Sequence, residues 1–87
     1  MELKKGMLAI SKAGHDKDSW YVVLKIEDKY AYLANGKTKQ MENPKKKKLM
    51  HIQPVNVIPE LLQEKLENGG QWTNEEIKRA LKLAQKD

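Results

Sequence analysis

Apolar positions recur at strand spacing through the first two thirds of the chain and at helical spacing from Pro59 onward. Met7-Leu8-Ala9-Ile10-Ser11-Lys12 reads as a first strand, closed by Ala13-Gly14-His15-Asp16-Lys17-Asp18, a polar stretch with turn chemistry. Trp20 to Ile26 is rich in β-branched and aromatic residues. Its even positions, Trp20, Val22, Leu24 and Ile26, share one side of a pleat, and that side is expected to be the core. Glu27-Asp28-Lys29 offers a tight connection to Tyr30-Ala31-Tyr32-Leu33-Ala34. Asn35-Gly36 follows, the dipeptide that best tolerates the positive φ angles of a type I′ hairpin turn, so a third and a fourth strand are expected. Pro44-Lys45-Lys46-Lys47-Lys48 reads as a solvated basic run, and Leu49 to Gln53 as a last short strand that Pro54 ends.

Pro59 suits the first turn of a helix in which Leu61, Leu62 and Leu66 form an apolar stripe and Asn68-Gly69-Gly70 supplies the stop. Thr73-Asn74-Glu75-Glu76 fits a capping box, a device that contributes about 1 kcal/mol. Ile77, Ala80, Leu81 and Ala84 then line one face of a second helix over 73–86, with Trp72 as a hydrophobic staple against Ile77. So short a helix does not hold by itself, and its stripe needs the sheet, the first helix or a partner to lie on. The expected fold is mainly β: a small barrel or sandwich of about five strands in residues 1–58, followed by one or two helices in residues 59–87.

Composition narrows this picture. With 87 residues there is room for one modest core. The 39% hydrophobic and 33% charged content is that of a globular chain and not of a wholly disordered one. There is no cysteine, so neither a disulfide nor a thiolate metal site can form, and His15 and His51 alone do not make a zinc site. No uninterrupted apolar stretch marks a leader or a membrane span, so a cytoplasmic protein is expected. The net charge of +5 is unevenly spread: residues 1–58 carry twelve lysines against six acids, residues 59–87 five Lys/Arg against six. A positive field of that kind favours a polyanionic partner.

Lys37, Lys39 and Lys45 to Lys48 fall within a dozen residues with only Glu42 opposing them, and phosphate binding is the expectation for them over mere solvation. Among the aromatic residues Trp20 is assigned to the core, while Tyr21, Tyr30 and Tyr32 stay open. Tyr30 and Tyr32 point the same way, so on an exposed face they would form a base-stacking platform. No phosphate loop, nucleophile elbow or nucleophile and base pair is present, and an enzyme, a cofactor or a small-molecule substrate is not expected.

The succession of these features over residues 3–53 resembles the KOW-domain RNA-binding proteins, the small bacterial ones and, more distantly, the large-subunit ribosomal protein fourteen-e family. The residues that carry it are Leu3 to Asp18, the strand Trp20-Tyr21-Val22-Val23-Leu24, the hairpin through Asn35-Gly36, Pro44 to Lys48, and His51-Ile52-Gln53-Pro54. The resemblance implies an SH3-like β-barrel. It also implies that the loop after the first strand meets the RNA backbone, with Gly14 as the loop glycine and Lys12, His15 and Lys17 as its polar and basic groups. Asp18 stands near the place where many KOW motifs have a second glycine; an acid there repels phosphate unless it turns inward to cap the loop. The leading expectation is therefore a protein of structured RNA, ribosomal RNA above all, that is associated with translation and sits near ribosomal proteins, away from membranes. The other is a protein-interaction module that uses the barrel or the amphipathic helix.

Overall fold

The computed structural model describes residues 2–85; residue 86, the expected end of the second helix, lies outside the described residues, as do 1 and 87. Five strands form one antiparallel sheet: β1 (Leu8–Ser11), β2 (Trp20–Glu27), β3 (Tyr30–Ala34), β4 (Lys45–Lys48) and β5 (Ile52–Val55), in the order β4-β3-β2-β1-β5. Two helices follow, α1 (Glu60–Asn68) and α2 (Asn74–Ala84). No helix among the described residues is long and apolar enough to cross a membrane.

Both faces of the central strands are buried, and this departs from the expectation of a single core face. On one face Leu8, Val22 and Ala34 pack with Leu62, Trp72, Ile77, Ala80 and Leu81 of the helical segment. On the other, Ala9, Tyr21, Val23, Ala31, Leu33 and Ile52 form a second cluster that no helix covers. Ile52, on the edge strand β5, belongs to the same cluster as Ala31 and Leu33 of β3. A strand buried on both sides reads as a continuous apolar run, which is why Trp20 to Leu24 shows so little alternation. The pairing register shifts between Val23 and Lys25, and this bulge at Leu24 reverses the parity of the strand beyond it. Ile26 is thereby opposite Ala31, on the face of Val23 instead of Val22, and is 37% exposed rather than part of the core. Trp20 is half-buried against the helix-covered cluster, near its expected place.

Three further expectations fail locally. Asn35-Gly36 does not make a two-residue hairpin, because the connection from β3 to β4 spans residues 35–44. Gly36 does take a positive φ of 76°, but a Cβ there would run into the Asn74 carbonyl oxygen, so the glycine serves the close approach of this loop to α2. The Asn74 side chain completes the strap, accepting the Met41 N–H at 2.8 Å and donating to Glu42 at 2.9 Å. Pro44–Lys48 is not a solvated loop, since its four lysines are strand β4. Pro54 does not end the last strand: Leu49–His51 is a 3-10 turn, and Pro54 lies inside β5 opposite Ala9. At a sheet edge the missing N–H of proline costs no ladder bond.

The helical segment follows its local signals. Gly69 at φ 72° ends α1, and the Gly70 N–H reaches back to the Lys65 carbonyl at 2.9 Å. The capping box of α2 is complete: Thr73 Oγ1 accepts the Glu76 N–H at 3.2 Å and Glu76 accepts the Thr73 N–H at 2.9 Å. That Thr73 bond, aided by the Lys65 ammonium 3.2 Å away, lowers the Glu76 pKa. The Trp72 indole N–H donates to the Leu62 carbonyl at 3.0 Å, which joins the two helices. Ile77, Ala80 and Leu81 are buried on the sheet, while Ala84 is exposed. The helices thus share a core with the sheet, and Ile77 and Leu81 are not free to dock a partner.

Candidate functional site

The four lysines of β4 alternate in direction because a strand pleats. Lys45 and Lys47 stand opposite Leu33 and Ala31, on the helix-free face, and Lys46 and Lys48 stand opposite Tyr32 and Tyr30. The first pair turns toward the β1–β2 loop. There Asp16, 14% exposed at its side chain, accepts from Ser11 Oγ at 2.9 Å, from Tyr21 Oη at 2.8 Å and from Lys47 Nζ at 2.9 Å, with Lys45 Nζ at 3.7 Å. Lys47 Nζ also donates to the Ala13 carbonyl at 2.9 Å. Burial acts to raise the Asp16 pKa, but hydrogen bonds from Lys47, Tyr21 and Ser11, together with the Lys47 charge, hold it well below the usual carboxylate range. Tyr21 is pushed up to about 12 by burial and by its bond to the same carboxylate. Ser11, fully buried, has its hydroxyl satisfied by this cluster.

The cluster fixes the loop against the edge strand. Gly14, at φ 88°, sits beside the cluster, where a Cβ would be in ordinary contact with Lys47 Nζ at 3.7 Å. Lys12, His15 and Lys17 project from this loop and are exposed. The expected loop residues and the lysine run are therefore brought side by side, though two of the four lysines are directed at Asp16. Asp18 is not the inward acid. It sits at φ 74°, the left-handed conformation that glycine adopts without strain, and its N–H donates to the Ser11 carbonyl at 2.8 Å. Nothing in the sequence singles out Asp16: Asp18 lies in the same lysine-bearing loop, and the burial of Ser11 and Tyr21 that makes the difference is a property of the fold.

On the opposite side, the helices cover only the end of the sheet near Ala34. Beyond them the same face is open and carries Lys25 and Glu27 from β2, Tyr30 and Tyr32 from β3, and Lys46 and Lys48 from β4. Both tyrosines are half-buried. Lys46 Nζ lies 4.4 Å from the Tyr30 ring centroid and 6.0 Å from that of Tyr32, and Lys25 Nζ lies 5.1 Å from Tyr32. Glu27 accepts from Tyr32 Oη at 3.3 Å and meets Lys25 at 3.7 Å. Lys37 and Lys39 are elsewhere. Lys37 lines a cleft with Asp18, Trp20, Lys78 and Lys82, and the backbone of Lys39 closes the 35–44 loop on Asn35.

This arrangement defines a β-rich protein with one basic sheet edge, tied on one side to a loop and bearing tyrosines on the other. No family model matches the chain, and no curated protein matches it.

Proposed function

We propose that the chain is a non-enzymatic, cytoplasmic RNA-binding protein of the KOW type, whose five-stranded sheet corresponds to an SH3-like barrel. The reading rests on the juxtaposition of the β1–β2 loop and strand β4: Asp16 pairs with Lys47 and offsets only one of the two lysine charges that face it, and Lys12, Lys17, Lys46 and Lys48 remain exposed around them. A basic surface on a rigid support suits the phosphate backbone, since its charges are set by the fold and their counterions are released on binding. Lysines also blunt an exposed sheet edge against pairing with another chain, and that role is compatible with binding. The resemblance of residues 3–53 to KOW proteins adds the link to ribosomal RNA and translation.

The test is sedimentation of the tagged protein with ribosomal subunits from a lysate at low and raised salt. The reading expects it to travel with the large subunit and to be stripped off progressively by salt. A protein that stays at the top of the gradient at low salt sinks the ribosomal assignment.

A further inference from the structure

The open half of the helix-bearing face ends in a cleft of about 570 Å³ lined by Asp28, Lys29, Tyr30, Lys48, Leu49 and Met50. Met50 is 79% exposed, more than any other large apolar side chain described, and no packing role accounts for it. Tyr30 belongs both to this cleft and to the tyrosine face. Resting on the RNA-binding reading above, we propose that this face takes an unpaired stretch of RNA, with one base on Tyr32 and the next between Tyr30 and Met50.

Two observations converge on that ligand. The rings stand two residues apart on one strand, about 6.6 Å at ordinary strand rise, a separation within reach of adjacent nucleotides in an extended strand. Lys46 lies within cation–π range of both rings, where the phosphate linking two stacked bases would fall, and Lys48 and Lys29 flank the cleft for the phosphate beyond. A cationic ligand is disfavoured because lysines already occupy the rings. An exposed cation–π contact is weak, so Lys46 exchanges ring for phosphate at little cost. Bases of a duplex hide their faces in the stack, and only unpaired ones can lie on a side-chain ring.

The experiment titrates the whole chain with a short labelled oligouridine, with the same oligomer made abasic, and with an RNA hairpin whose loop is closed to a minimum. Tyr30→Leu, Tyr32→Leu and Met50→Ala are compared with Tyr30→Phe and Tyr32→Phe, which keep the ring, after thermal unfolding has verified that each variant is folded. Stacking predicts that each Leu variant weakens oligouridine binding by about tenfold, that the Phe variants bind as the parent does, and that the hairpin is bound within about twofold by all of them. Met50→Ala is expected to weaken the oligouridine alone, by several-fold. The inference is overturned if the abasic oligomer binds as well as oligouridine, if the Leu variants match the parent, or if they lose hairpin and single strand equally. Hairpin binding with no single-strand binding defeats this inference and leaves the proposed function standing. No binding of any RNA defeats both.

Discussion

The two sides of strand β4 differ sharply in what surrounds their lysines. Lys45 and Lys47 face a partly buried carboxylate, and the Lys47 side chain is 10% exposed with two hydrogen-bond acceptors at 2.9 Å. Lys46 and Lys48, one position away, are exposed beside two tyrosine rings. Four identical residues thus have two physical roles, and pleat parity alone assigns them. On the inner side the Lys47 charge is largely desolvated and satisfied, so it acts on stability, whereas Lys45, 31% exposed and 3.7 Å from Asp16, lies at the margin. On the outer side the charge remains in water, where a salt bridge or a cation–π contact is worth little until a ligand arrives.

Removing the anion on the inner side should give the largest effect. Asp16→Ala leaves the Lys47 ammonium and the Tyr21 hydroxyl without their shared acceptor, and a loss of about 3 kcal/mol is expected from breaking such a buried pair. Urea unfolding would measure it; a change under about 1 kcal/mol would mean that the cluster is decorative.

The same comparison is sharper between neighbours. Lys47→Met keeps the aliphatic stem but removes a charged hydrogen bond to Asp16, for a loss of about 2 kcal/mol, whereas Lys46→Met should stay within about 0.5 kcal/mol of the parent. Equal losses in thermal or urea unfolding would erase the distinction between the two sides.

Binding should reverse the order. Changing Lys46 and Lys48 together to Glu is expected to abolish most RNA affinity at moderate salt, and the milder change to Gln to reduce the slope of log affinity against log salt by about 1.4 if each lysine meets one single-strand phosphate. Fluorescence anisotropy over a salt series reads this directly. An unchanged slope removes the outer face from the interface.

The smallest effect is in the acid limb of stability. Asp16 has a folded pKa held below its unfolded value of about 3.9, so its contribution is complete above that value and fades as pH falls toward the folded one. The stability gap between the parent and Asp16→Asn should therefore be constant from neutral pH to about pH 5 and narrow as pH falls below about 4. A gap that stays flat down to about pH 2 contradicts the charged cluster.

Much of the local structure was legible in advance. The first three strands, the Gly69 stop and the Thr73–Glu76 box depend on backbone chemistry within a few residues, and so they appear where the pattern puts them, whereas the last two strands do not. The candidate site was legible only in part. Lys12, Gly14, His15 and Lys17 do share a loop beside Lys45–Lys48, but nothing local distinguishes Lys47 from Lys46, or Asp16 from Asp18. The lysine run looked like a loop because strand propensity is weak for lysine; pairing with Tyr30 to Leu33 overrides it.

By itself, then, the sequence determined the periods, the caps, the breakers and the excess of positive charge in its first two thirds, since each depends on neighbours along the chain. The tertiary structure alone decided that both faces of β2 are buried, that the bulge at Leu24 turns Ile26 out of the core, and that Gly36 is needed for Asn74. It also decided which lysines face Asp16 and which face the tyrosines. These outcomes depend on register and on the approach of residues thirty or more positions apart, and a residue's distant partners are set by packing rather than by its own type.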